Sequence, residues 1–313
     1  MARHWRQAAT AALVVLAGAL AGALYESVGP VAQPAIPFGI YDPAANDSFP
    51  WVHPSYWLYY GKPYNSTYGA SFPSSWARYL AKHDGEVFYE IQSCDLTSPQ
   101  VPCSGPGSIP GIIAGKYDFY LRMLARQIHA FGKPAWLTFD HEMNGNWYPW
   151  GRGWVTPAQY VAAWRHVVRV IRPVAPNALW IWAPHAVLAG ASWGGPVRDW
   201  YPGDSYCSAV GLDGYDTWLK DNFATVFQPT INAVRQFTRK PVLIAETGIA
   251  TSLPRSYLLR DLFRGVRENH LAAVIWFDQD NGTADSYKLY GSSFDYRLEG
   301  HPVLLGELER LQR

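Results

Sequence analysis

From residue 135 onward the chain repeats one pattern. A short, continuous apolar run breaks at once into polar residues and is followed by a stretch with apolar residues at helical spacing. The runs are AWLTF at 135–139, LWIWA at 179–183, AVGL at 209–212, PVLIA at 241–245 and AAVIWF at 272–277. Runs without polar/apolar alternation belong to strands buried on both faces, as in a parallel sheet covered by helices. Helices are predicted between them at 157–171, opened by Thr156 and Pro157, at 224–238 and at 256–269.

The same alternation extends to the first third of the chain. Strand-like runs lie at 38–42, 52–60 and 86–92, with helices predicted at 73–83 and at 118–131, where Gly132 stops the second. A further helix is predicted at 302–311. Eight strands, near 38, 55, 87, 136, 180, 210, 243 and 274, fit one α/β domain over 38–313. It is predicted to be a (β/α)8 TIM barrel with an irregular first crossover, because no helix-like segment separates the first two strands. An open doubly wound sheet is the alternative. In a barrel, reactive residues sit at the C-terminal ends of the strands.

A formal net charge of +1 over 313 residues leaves no basic surface for nucleic acid. The 15 Trp and 20 Tyr exceed what a core needs, and flat apolar rings with a polar tip suit stacking on sugars. Residues 1–24 carry Arg3 and Arg6 ahead of an apolar run from Ala8 to Leu24. This is the layout of a signal peptide, or of an N-terminal membrane anchor if it stays uncleaved, and 25–37 reads as a Pro/Ala-rich tether. Either way the domain is expected outside the cytoplasm, secreted or tethered to the membrane, and as a monomer. Cys94 and Cys103 bracket a loop short enough for a disulfide, while Cys207 reads as a buried small hydrophobe. No Cys/His cluster has metal-ligand spacing, so neither metal nor cofactor is expected.

Two carboxylates follow apolar strands directly, Glu142 after the fourth and Glu246 after the seventh. Across a barrel mouth such residues face each other, and a facing carboxyl pair is what glycoside hydrolysis uses. His141, His185, Tyr215 and Trp276 stand at strand ends too, and Trp147, Tyr148 and Trp150 follow Glu142 in one loop. His141-Glu142 is not the start of a zinc-protease H-E-x-x-H motif, because position 145 is Gly. The competing reading is a glycan-binding or cell-wall-assembly protein that keeps the barrel without catalysis.

HEMNG at 141–145 and AETG at 245–248, supported by WIWAP at 180–184, VGLDGYD at 210–216 and IWFDQD at 275–280, resemble glycoside hydrolase family 26. That family contains β-mannanases, mixed-linkage β-1,3-1,4-glucanases and β-1,3-xylanases. The resemblance runs co-linearly over about residues 38 to 300. It implies a retaining mechanism on a polysaccharide or oligosaccharide, with Glu142 as acid/base and Glu246 as nucleophile. It also implies that His141 orients the acid/base or binds substrate, Tyr215 holds the nucleophile, Trp147 lines the cleft and Trp276 is the sugar platform. Trp150, Tyr148 and His185 join the substrate-binding set by position alone. An apolar, indole-lined setting beside Glu246 is expected to raise the Glu142 pKa. Many relatives carry Arg three residues before the motif His, where this chain has Thr138, and NWYPWG departs from the WFWWG-type ending of mannanases.

Overall fold

The computed structural model describes residues 35–42, 54–61, 72–94, 103–187, 195–280, 294–298 and 301–312. The leader expected at 1–24, most of the tether expected at 25–37, the first crossover (43–53) and the 281–290 segment lie outside them. Eight parallel strands close into a barrel in sequence order: β1 Phe38–Tyr41, β2 Tyr56–Gly61, β3 Glu86–Ile91, β4 Ala135–Phe139, β5 Ala178–Trp182, β6 Ala209–Asp216, β7 Val242–Ile249 and β8 Val274–Phe277. β8 pairs back onto β1 from Phe38↔Val274 to Tyr41↔Phe277. Closure leaves no sheet edge, and the open doubly wound alternative is set aside.

The helices are α1 Ser74–Lys82, α2 Ile109–Ile113, α3 Asp118–Phe131, α4 Pro157–Ile171, α5 Phe223–Val226, α6 Gln228–Val234, α7 Arg255–Glu268 and α8 Pro302–Gln312. α4 starts where its sequence says it should. Thr156 and Gln159 form a reciprocal capping box and Pro157 occupies the first turn. Gly132, at φ 74°, ends α3 in the left-handed conformation. The single helix predicted over 224–238 is two short ones. Pro229 has no N–H to bond back into the preceding turn, so the chain breaks at Phe227 and restarts with the proline in the first turn of α6. α2, with a Pro in its first turn, was not predicted at all.

Side chains divide into two cores. Leu58, Phe88, Ile181, Leu243, Ala245 and Ile275 form a small cluster on alternate strand positions, the filling of the barrel interior. The opposite strand faces pack against the helices in the larger core, where Trp164, Trp180 and Trp182 are almost wholly buried. A bulge breaks the alternation at one place. On β7, Leu212↔Ile244 is followed by Asp213↔Glu246, so β7 carries one extra residue, Ala245. The β7–β8 pairing skips likewise, from Ile244↔Val274 to Thr247↔Trp276. Ala245 already faces inward, and the extra residue turns Glu246 inward as well. Bulges beside reactive sites re-aim side chains in this way.

A disulfide joins Cys94 to Cys103 after β3, and Cys207 is buried and free. Among the described residues no helix is long and apolar enough to cross a membrane.

Candidate active site

β4 delivers Glu142 through an irregular exit. Asp140 and Glu142 both take positive φ, 47° and 51°, an uncommon conformation for residues with a side chain. Backbone bonds hold the turn: Asp140 N–H donates to Ile91 O and Glu142 N–H to Ala183 O, at 3.0 and 2.8 Å. The loop then doubles back so that the Trp147 indole lies over Gly145, where a Cβ would collide with the ring. Only glycine leaves that space, and it lets Trp147 Nε1 donate to Glu142 Oε2 at 2.5 Å. On the other carboxyl oxygen, His185 Nδ1 lies 2.5 Å from Oε1. Asn144 clamps the His185 backbone, accepting its N–H at 2.9 Å and donating to its carbonyl at 2.8 Å.

Glu246 is held from two sides by phenols. Tyr215, on the adjacent β6, donates to Oε1, and Tyr60, at the end of β2, donates to Oε2. Burial raises both phenol pKa values well above the ordinary, and the charge of Glu246 adds to that, so both remain donors. Tyr60 was not among the residues singled out from sequence. The run YWLYYG places an aromatic at almost every position, so no alternation marks which ring turns inward.

His141 sits beneath the pair, 3% exposed. Its backbone N–H donates to Glu90 Oε1 at 3.1 Å, its Nδ1 lies 3.2 Å from the same oxygen, and its Nε2 lies 3.1 Å from the Tyr148 hydroxyl. Burial pulls the imidazole pKa down, but the charge and hydrogen bond of Glu90 outweigh it, helped by Glu246 and Glu142. The net shift is strongly upward, which favours the protonated ring. A strand-end carboxylate, Glu90, was therefore legible on β3 but not recognised as part of the site.

The two carboxyls differ in the sense opposite to the sequence expectation. Burial pushes Glu142 up, yet His185 outweighs it by charge and hydrogen bond, aided by His141 and Trp147, and the net direction is down. For Glu246 burial dominates and the charge of Glu142 adds to it. His141, Tyr215 and Tyr60 oppose, and the net direction is up. The expected indole-lined setting exists, but an imidazole in contact with the carboxyl decides the sign.

Three other assignments change. Trp276 is 0% exposed, faces the helix layer beside Thr247, and donates from Nε1 to Tyr296 O at 2.9 Å, so its ring cannot carry a sugar. The β8 aromatic at the mouth is the next residue, Phe277, stacked on Tyr41 at 5.0 Å and 6.0 Å from Tyr215. Trp150 is also 0% exposed, and Tyr148 is buried. They stack on each other at 4.7 Å, and Trp150 Nε1 donates to His141 O at 2.8 Å. Both support His141 rather than a ligand. His185 and Trp147 remain at the surface of the site, in edge contact at 5.0 Å, as partners of Glu142.

Below Glu246 a small cavity is lined by Glu90, Thr138, His141 and Asp213 among others. Thr138 Oγ1 is buried and makes no hydrogen bond among the described residues. Asp213 is held well above the ordinary carboxylate range, first by burial and then by the charge of Glu246. No group of three or more His, Cys, Asp or Glu among the described residues is arranged to hold a metal. A buried carboxyl pair, each oxygen with a donor, suits acid/base and nucleophilic chemistry on a neutral substrate.

Known proteins fit this arrangement. Residues 125–292 match the family model of glycosyl hydrolase family 26. Endoglucanase H of Acetivibrio thermocellus is 32% identical over 206 residues, covering 61% of this chain and 21% of that protein. A mannan endo-1,4-β-mannosidase of Bifidobacterium adolescentis is 33% identical over 82 residues, 25% of this chain and 8% of that one. The chain thus spans about a fifth or less of the length of these curated relatives. An endo-β-1,4-mannanase structure from Cellulomonas fimi superposes with a TM-score of 0.65 at 16% identity, covering 89% of this chain and 70% of that one. A β-mannanase from Bacteroides ovatus gives 0.60 at 15%, covering 90% and 89%. The structures share the barrel. The family match takes in Glu142 and Glu246 and more than half of the sequence, and the chain belongs to glycosyl hydrolase family 26.

Proposed function

We propose that this chain is a retaining endo-β-glycanase that cuts β-1,4-mannan or β-1,3-1,4-glucan. The observation that carries the reading is the pair of buried carboxyls at the ends of β4 and β7, one between nitrogen donors and the other between two phenols. In the first step a Glu246 oxygen attacks the anomeric carbon while the glycosidic C–O bond breaks. The leaving oxygen takes a proton from Glu142. In the second, water gives a proton to Glu142 and its oxygen displaces Glu246 from the sugar. Tyr215 and Tyr60 aim Glu246 and, with His141, favour its ionised form against the burial that raises its pKa.

Glu142 has to carry the proton when the bond breaks, and His185 Nδ1, 2.5 Å from Oε1, is the group in contact with its carboxyl. Filling the cleft with a glycan removes water from Glu142, which favours its neutral, protonated form.

The longer match to endoglucanase H makes β-glucan the first substrate to test. The apolar leader at 8–24 and the disulfide support action outside the cytoplasm. The parent is expected to release reducing ends from barley β-glucan or mannan, with the first product detected by NMR as the β-anomer. Glu246→Ala and Glu142→Gln should lower kcat by about 10⁴-fold or more. A parent that binds these polysaccharides but cleaves none fits the non-catalytic alternative instead, and an α-anomer first product overturns retention.

A further inference from the structure

The rim of the barrel carries an exposed indole that the reaction does not use. Trp218 follows β6 by two residues, at the same end of the barrel as Glu142 and Glu246, and is 56% exposed. Most other exposed large apolar side chains, including Tyr79, Phe119, Tyr257 and Val303, lie on the outer helices. Singly exposed residues there need no explanation. Trp218 differs because its turn is rigidly built. Asp221, 4% exposed, accepts from the backbone N–H groups of Thr217 and Trp218 at 2.9 and 2.7 Å and from the Thr217 hydroxyl at 3.1 Å. Asp221 N–H closes the turn onto Trp218 O at 2.9 Å.

A chain of ring contacts, passing through the buried Tyr296, links Trp218 to the residues that hold Glu246. The Trp218 ring meets Phe294 at 5.7 Å, Phe294 meets Tyr296 at 6.2 Å, and Tyr296 meets Tyr215 at 4.9 Å. Tyr215 in turn donates to Glu246. The Trp218–Phe294 contact is edge-to-face at 84°, and the indole stays more than half exposed. A rigid aromatic surface held at the rim of a sugar-cleaving site pre-pays the ordering of its side chain and suits the apolar face of a pyranose.

We infer that Trp218 is a remote sugar platform, which binds a residue of the β-linked glycan chain beyond the one undergoing cleavage and so makes the enzyme select long chains over short ones. The inference rests on the glycanase reading of the site. Its occupant is the neutral polysaccharide itself, because the exposed indole stands at the end of the barrel where Glu142 and Glu246 meet the chain being cut. Trp154, 42% exposed on the β4–α4 loop, follows a different strand and is not included.

The test compares the parent with Trp218→Ala and Trp218→Tyr on tri- to hexasaccharides of whichever β-glucan or mannan the parent cleaves. Trp218→Ala is expected to lower kcat/KM on the hexasaccharide about fivefold through KM, with under about twofold change on the trisaccharide, and Trp218→Tyr to recover most of the loss. Equal loss at every length, or loss at none, overturns the platform. If the parent cleaves neither polysaccharide, the function reading fails by itself. Retardation of Glu246→Ala and of Glu246→Ala/Trp218→Ala in gels containing each polysaccharide then decides the platform: weaker retardation of the double variant supports it, and equal mobility overturns it.

Discussion

His185 touches one carboxyl of the pair, Glu142. Its contact with Glu142 lowers that group's pKa, so its removal has a defined sign. In His185→Ala, Glu142 stays protonated to higher pH, and the alkaline limb of the kcat/KM profile moves up. An unmoved limb with a uniformly lower rate would place His185 in substrate binding alone. Tyr215 acts on the other carboxyl. Its hydrogen bond lowers the Glu246 pKa, so Tyr215→Phe raises it, shifts the acidic limb to higher pH and costs on the order of a hundredfold in kcat/KM. Glu142, Glu246, His141 and Tyr215 were legible as strand-end residues. Trp276 was misplaced because IWF is apolar at every position and carries no sign of which side faces the mouth. Glu90 and Tyr60 were present at strand ends, yet their partners come from β4 and β7, and no spacing within one strand reports such a contact.

At the scale of elements, the exit of β4 is the part most sensitive to small changes. A methyl at position 145 would occupy the space of the Trp147 ring, so Gly145→Ala pushes the indole off Glu142. The expected result is a loss of activity on the order of tenfold, with altered Trp fluorescence and little change in thermal stability. The α4 cap lies away from the chemistry. Thr156→Ala should lower unfolding free energy by about 1 kcal/mol, read as a lower urea midpoint, and leave kcat unaltered. Strand order and most helices followed from the periodicity. The α5–α6 break did not, because the apolar spacing runs on past Pro229 and only the missing N–H interrupts it.

The whole molecule stores a pH-dependent weakness behind β6. Asp216 is buried, and desolvation, then Asp221 and Asp261, push its pKa up to about 7. An acid with a raised native pKa is neutral in the fold at a pH where it is ionised in the unfolded chain. Its burden is absent below about pH 4, grows as pH rises and is complete above about pH 7. Asp216→Asn should therefore raise Tm at pH 8 and leave it unchanged at pH 4, an effect of a few kcal/mol at most at roughly 1.4 kcal/mol per unit. The β7 bulge has a consequence for the barrel as a unit. Ala245 acts as a phase shift, so the packed lower half of the strand and its reactive upper half are read in separate frames. Repacking Leu243 or Ile275 changes the lower frame alone and leaves the aim of Glu246 intact. Deleting Ala245 merges the two frames, and a barrel that still closes would then turn Glu246 to the helix layer instead of the barrel mouth.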